Sequence, residues 1–285
     1  MEASIIKQRG SGRIAKRRTE SMVSQLPADI NNRSADTTIR EPVRSEPSAP
    51  LDKSADRIRA MFAEIAPRYD FLNHLLSAGL DIAWRRRTAQ RAPRPLVGPI
   101  LDVCTGTGDL ALAYWKAGSR RVVVIGLDAC EPMLRLAQRK ARRHGAADWI
   151  EWVLGDTQQL PFATGTFQVV SVAFGIRNVS DPLQGLSEMV RVCTRGGQVA
   201  VLEFAFPKNR IFGRLFRWYF NRVLPRIGQF FARNRFEAYR YLPESVGLFE
   251  QGTAFARRLE EVGLGQVEML PMTGGIATLY LGRKP

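Results

Sequence analysis

The residues Leu101-Asp-Val-Cys-Thr-Gly-Thr-Gly-Asp109 join an apolar run, a glycine-rich turn and an acid opening the next helical stretch. Twenty residues beyond Gly108, a second apolar run (122–127) ends in Asp128. A third run, Glu151-Trp-Val-Leu-Gly-Asp156, ends in an acid followed by Thr157. Acids at the ends of successive parallel strands suit a nucleotide-type ligand lying across those ends. Gly106 and Gly108 let the backbone approach the ligand. Asp128 can accept from two ribose hydroxyls, and Asp156 from an adenine amino group.

Read alone, Gly106-Thr-Gly108-Asp-Leu-Ala111 also fits the dinucleotide fingerprint. A dinucleotide places a pyrophosphate at the helix N-terminus, where the dipole favours an anion. Asp109 stands there and opposes it. S-adenosylmethionine brings a sulfonium and an ammonium instead, and Asp102 and Asp109 suit both. The competing readings are that Asp109 is an ordinary first-turn acid and that Asp156 is a loop acid or helix cap.

These residues need a scaffold, and the alternation after Pro99 supplies one. Strands are expected near 100–104, 121–127, 149–153, 167–173 and 197–204, with helices over 109–117, 131–143 and 182–193. That alternation predicts an α/β fold with a doubly wound, mostly parallel sheet. Thr194-Arg-Gly-Gly197 reads as a turn into the fifth strand. A helix near 250–262 and two strands, 266–270 and 276–282, close the chain, the strands joined by Pro271 to Gly275 as a hairpin. Ahead of the sheet, helical patterns over Ser54 to Ile65, 71–76 and through Trp84 form a cover. The sheet domain spans 51–285, with a lid insertion at about 205–245. Residues 1–50 hold no Phe, Trp or Tyr and read as a disordered tail. Met22 is an alternative start.

Composition removes several function classes. Two histidines, His74 and His144, make a His-based metal site or triad a poor expectation, and no metal is expected. Three cysteines without metal-type spacing point to a reducing compartment. No apolar run reaches the roughly 20 residues needed to span a bilayer. The net charge is +15, and residues 205–242 hold nine Lys/Arg against one acid, Glu237, together with eleven aromatic residues. Phe212, Phe216, Tyr219 and Val223 repeat at helical spacing, with Arg210, Arg214 and Arg217 on another face. A basic amphipathic helix over 211–231 can lie on an anionic bilayer. A packed lid helix and a nucleic-acid surface are its alternatives.

Several motifs converge on one family. Phe62-Ala-Glu-Ile-Ala-Pro-Arg-Tyr-Asp70, the glycine loop, Phe174-Gly-Ile-Arg-Asn-Val179, Leu202-Glu-Phe204, Leu224-Pro-Arg-Ile-Gly228 and Tyr239-Arg-Tyr-Leu-Pro-Glu-Ser245 resemble the quinone-biosynthesis C-methyltransferases. That family acts on demethylmenaquinone and on the polyprenyl-methoxybenzoquinol precursor of ubiquinone. The resemblance covers residues 54–285. It implies a class I methyltransferase sheet of seven strands and S-adenosylmethionine as cofactor. Thr107, Asp128, Asp156 and Thr157 match family positions that contact the cofactor. Ala173 stands where the family often has Ser, so a hydroxyl contact is missing. Met272-Thr-Gly-Gly-Ile276 looks like the menaquinone branch, so demethylmenaquinol is the expected substrate and the 2-methoxy-6-polyprenyl-1,4-benzoquinol the alternative.

Ring-carbon methylation requires the reduced quinol and loss of a phenolic proton. Arg177 can stabilise the phenolate but is a poor base. Asn178 can hold a quinol oxygen. Tyr69 and Asp70 can relay or accept the proton. The expected partners are a polyprenyl quinol and the anionic inner face of a membrane reached from the cytoplasm. The choice between monomer and homo-oligomer stays open. A nucleic-acid methyltransferase predicts a base-amine motif such as Asn-Pro-Pro-Tyr, and Phe-Gly-Ile-Arg-Asn stands in its place, so no nucleic acid is expected. A mere binding protein predicts a ruined cofactor loop, and this loop is intact.

Overall fold

The computed structural model describes residues 54–227 and 238–285. The tail 1–50, and residues 228–237 of the basic aromatic stretch with Arg233, Arg235 and Glu237, lie outside the described residues. Seven strands, β1 (Ile100–Val103), β2 (Val124–Asp128), β3 (Ile150–Leu154), β4 (Phe167–Ala173), β5 (Cys193–Phe204), β6 (Gly265–Met272) and β7 (Ala277–Arg283), form one sheet. Its order is β3-β2-β1-β4-β5-β7-β6. β7 runs antiparallel to β5 and β6, and the other pairs are parallel. The winding reverses between β1 and β4, which opens a crevice at their carboxyl ends.

The central strands are apolar because helices cover both faces; all four residues of β1 are buried. Helices α4 (Asp109–Ala117), α5 (Glu131–Arg143) and α6 (Pro182–Val192) connect them. α6 starts where it does because the Asp181 carboxylate accepts from the Gln184 N–H at 3.0 Å and Pro182 follows. The cover consists of α1 (Ala55–Ile65), α2 (Tyr69–Leu76) and α3 (Leu80–Gln90), with α7 (Arg210–Trp218) and α8 (Ala238–Leu248) from the insertion. Ile58, Met61, Ile65, Leu72, Phe220, Leu224 and Tyr241 pack into one core cluster, so cover and insertion share a core. α9 (Thr253–Glu261) leads into the closing hairpin.

One expectation needs correction. Thr194 to Gly197 is part of β5 rather than a turn before it. Gly196 sits at φ +72°, and the β4–β5 register shifts between Phe167 and Val169, so the strand absorbs the glycine pair as an irregularity. The expected apolar stripe on the insertion faces inward at Phe216 and Tyr219, which are half-buried against the shared core. α7 passes into a π-helical segment, Tyr219–Val223, and Gly213, Phe220 and Leu224 are buried beside that stripe. Phe212 is 38% exposed, and Ile211, Leu215 and Trp218 are exposed as well.

Candidate active site

Two cavities meet at the crevice. The larger, of about 420 Å³, lies among the cover and insertion, with Tyr69, Trp84, Arg85, Arg177, Phe220 and Tyr241 in its wall. The smaller, of about 110 Å³, is bounded by Gly106, Asp128, Asp156, Thr157, Ala173 and Asn178. A niche of about 20 Å³ adjoins the glycine loop, between Asp102, Thr107 and Asp109. Tyr69 borders all three.

The ends of β1 and β4 approach so closely that backbone geometry is fixed there. Cys104 (φ +49°) and Phe174 (φ +60°) are both left-handed non-glycine residues, a conformation that persists only where surroundings enforce it. A Cβ on Gly175 would lie 2.3 Å from the Cys104 Cβ, so no side chain fits at that position. The two loop glycines differ in role. A Cβ on Gly108 would strike the Trp152 ring at 2.5 Å, so Gly108 serves packing of β3 under the loop rather than ligand approach. A Cβ on Gly106 would find only the Tyr69 ring, at 4.0 Å, so its backbone is the one open to a ligand.

Asp128 is held by its own loop. One oxygen accepts from Gly106 N–H at 2.7 Å and the other from Cys130 N–H at 2.8 Å. A carboxylate has about four acceptor sites, so acceptors remain for a ribose. Burial pushes the Asp128 carboxyl upward while these backbone donors pull it back. Asp128→Ala is expected to weaken S-adenosylmethionine binding by about 1–3 kcal/mol, because ribose hydroxyls lose their acceptor. Unchanged affinity by calorimetry would remove Asp128 from the site.

Asp102 is buried, accepting from Thr105 Oγ1 at 2.6 Å and Ser171 Oγ at 3.3 Å, and burial lifts its carboxyl to about 7. Asp156 is exposed at the cavity rim, where it accepts from the Gln158 N–H at 2.9 Å. Gln158 lines the same cavity, and no sequence motif marks it. The Thr157 hydroxyl lies 3.3 Å from Cys104 Sγ. Ala173 borders the small cavity and the niche, leaving room there that a serine hydroxyl would take.

Asp109 meets Lys140 Nζ at 2.6 Å. Its charge is therefore matched, and the preference for a cationic ligand rests more on Asp102 and Asp128. The same ammonium reaches Asp70 at 2.5 Å and Thr107 Oγ1 at 3.1 Å, and Thr107 in turn donates to Asp70. Asp70 is thus turned to the glycine loop rather than to the large cavity, which corrects its expected role with the quinol proton. The Thr107 hydroxyl is likewise engaged with protein groups.

Arg177 is buried in the wall of the large cavity. Its Nη1 donates to both oxygens of buried Glu203, at 2.7 and 3.1 Å, and to the Phe174 carbonyl, and its Nε donates to Ser245 Oγ at 3.3 Å. Arg85, which no sequence motif marks, also lines that cavity, paired with Asp81 and lying 5.3 Å from the Phe174 ring centroid. Asn178 lies in the wall of the smaller cavity, its Oδ1 accepting from Tyr241 OH at 3.1 Å. Tyr241 faces the larger one, so this bond joins the two walls. Burial raises the Tyr69 phenol above its ordinary value, against the pull of Arg85 and Arg177.

His74, Asp81 and Asp109 offer ligand atoms within 4.8 Å of one another. Arg85 and Lys140 already face the two carboxylates, so the group reads as an ion-pair cluster and not a metal centre.

The ubiE/COQ5 methyltransferase family model matches residues 51–284. The chain belongs to the ubiE/COQ5 methyltransferase family. A family relative from Geobacter sp. (strain M21), the ubiquinone/menaquinone biosynthesis C-methyltransferase UbiE, is 42% identical over 82% of this chain and 99% of its own length. The demethylmenaquinone methyltransferase of Thermus thermophilus is 44% identical over 79% of this chain and 100% of its own. Among solved structures, S-adenosylmethionine-dependent methyltransferases from Thermotoga maritima and Methanococcus maripaludis share the fold. The first has a TM-score of 0.55 at 16% identity, over 80% of this chain and 100% of that one. The second has a TM-score of 0.54 at 18% identity, over 85% and 97%. Family membership agrees with the expected enzyme class, a C-methyltransferase using S-adenosylmethionine.

Proposed function

We propose that this family member methylates a ring carbon of demethylmenaquinol, in the formation of menaquinone. The observation that carries the reading is an apolar cavity of about 420 Å³ sharing Phe62, Tyr69 and Phe174 as wall with the Asp128 cavity. Relatives named for demethylmenaquinone and for ubiquinone/menaquinone synthesis support it. S-adenosylmethionine, when bound, supplies the electrophilic methyl; Asp128, the Gly106 backbone and Asp156 hold it, with Asp102 countering its positive charge.

The chain's own groups do the rest. The aromatic wall of Trp84, Phe174, Phe204 and Phe220 holds an apolar ring and its tail. Alignment of the ring with the neighbouring cavity lowers the entropic part of the barrier. The guanidiniums of Arg177 and Arg85 favour the phenolate that makes the ring carbon nucleophilic, with its phenolic proton, and later the ring proton that the methyl replaces, passing to solvent. Tyr69, with its raised ionisation, remains a phenol near neutrality and donates a hydrogen bond at the boundary rather than taking the proton by ionising first. Transfer of labelled methyl to reduced demethylmenaquinone and to the methoxybenzoquinol, side by side, tests the reading. Preference for the benzoquinol would move the chain to the ubiquinone branch, and labelling of neither would end the assignment.

The quinol's polyprenyl tail stays in a bilayer, and among the described residues no helix is long and apolar enough to cross one. Ile211, Leu215 and Trp218 are 84%, 60% and 55% exposed on α7. Arg210, Arg214 and Arg217 are exposed on the same helix. This face suits docking on an anionic bilayer, where each arginine contributes on the order of 1 kcal/mol, weakened by salt. Replacing the three arginines by Gln is expected to lower binding to anionic liposomes about tenfold or more and to slow methylation of a long-tailed quinol. A short-tailed soluble analogue should turn over as before. Equal losses on both would mean that α7 shapes the cleft and does not dock.

A further inference from the structure

Lys140 projects from α5 toward the glycine loop, with its side chain 19% exposed. An ammonium has three N–H donors, and three acceptors surround this one: Asp70 at 2.5 Å, Asp109 at 2.6 Å and Thr107 at 3.1 Å. The acceptors come from different elements. Asp109 opens α4 and Thr107 belongs to the glycine loop, both fixed to the sheet. Asp70 belongs to α2, part of the cover. Thr107 also donates to Asp70, closing the cluster. The residue before Asp70 is Tyr69, the side chain common to both cavities and the niche.

We propose that Lys140 is a positioning residue: it latches the helical cover to the glycine loop and so holds Tyr69 on the boundary between cofactor and acceptor. Without the ammonium, Asp70 and Asp109 face each other as like charges in a partly buried space. Repulsion then pushes α2 away from the loop. Ala55, Ile58, Arg59, Phe62 and Tyr69 also form the cover's share of the smaller cavity, so the same displacement opens that cavity to water. Lys140 and Asp70 are distinct from the groups that touch either ligand, since neither lines either of the two cavities. The latch's catalytic consequence rests on the methyltransferase reading above; its structural consequence does not.

The test uses the full chain with Lys140→Met, which keeps the stem and removes the charge, and Asp70→Asn as a second variant that cannot leave two facing acids. Hydrogen exchange over residues 55–76 is followed without ligand and with S-adenosylhomocysteine, beside exchange over β1, β2 and β4. Both variants should lose protection at 55–76 by tenfold or more while the strands keep theirs. Single-turnover methyl transfer at saturating cofactor and quinol should fall tenfold or more, so that the loss shows in kcat and not only in KM. Wild-type exchange at 55–76 in both variants would overturn the latch. Lost exchange protection with undiminished single-turnover rate would overturn its role in placing Tyr69. Absence of methyl transfer in the wild type, with the exchange change intact, would sink the substrate reading and leave the latch standing.

Discussion

Arg177→Ala is expected to cut quinol turnover by at least about a hundredfold, the loss of an electrostatic stabiliser from an apolar-walled cavity. It is also expected to destabilise the fold by about 3–5 kcal/mol, because buried Glu203 would lose the guanidinium that donates to both of its carboxylate oxygens. Glu203 is only 2% exposed. The two effects would be confounded in the single variant, and a second one separates them. In Arg177→Met with Glu203→Leu, neither buried charge remains, and replacing such a pair by apolar groups is often neutral. That double variant should recover much of the melting temperature and bind S-adenosylmethionine, yet remain a poor catalyst. Recovery of turnover along with stability would mean that Arg177 only braces Glu203, Phe174 and Ser245. Catalysis would then fall to Arg85, the other guanidinium in the same wall.

The elements that hold this site were legible because their local signals agree with one another. Asp109–Ala117 and Glu131–Arg143 fall on the expected helices, since glycine or proline marks their starts and the apolar face persists to their ends. The acids at strand ends were also visible, because a parallel strand places its last residue at the crevice whatever the side chain. What sequence could not show was which neighbour each polar group would find. Gly108 and Gly106 look alike in the motif, and only Trp152 beneath the loop gives the first a packing task. Asp70 beside Tyr69 suggested one proton path; Lys140, seventy positions later, turns it to the glycine loop. Arg85 sits in a run of three arginines that reads as a solvated face, and nothing local distinguishes the one that is buried. The π turn over Tyr219–Val223 is equally illegible, because no residue type there announces it.

The last expected result concerns pH. Asp102 has its carboxyl raised to about 7, chiefly by burial, with the Thr105 and Ser171 hydrogen bonds opposing the rise. In the unfolded chain it ionises near 3.8. Between those values the folded state carries the extra proton, so stability falls as pH rises through this window. Above pH 7 the full penalty applies, at most about 4 kcal/mol. Asp102→Asn should therefore make the ligand-free protein more stable at pH 8 and leave it little changed near pH 4. The asparagine can still accept from Thr105 and can donate to Ser171, so both present hydrogen bonds keep a partner. Binding should respond in the opposite sense. A cationic ligand beside Asp102 draws the carboxyl back toward its ionised form, so wild-type protein should release a proton on binding S-adenosylmethionine near neutrality. Affinity should then rise between pH 6 and 8. Calorimetry in buffers of different ionisation enthalpy reads that proton directly. Asp102→Asn should bind more weakly and release less. An identical pH dependence in the two proteins would place the titrating group elsewhere and reduce Asp102 to a brace for the glycine loop.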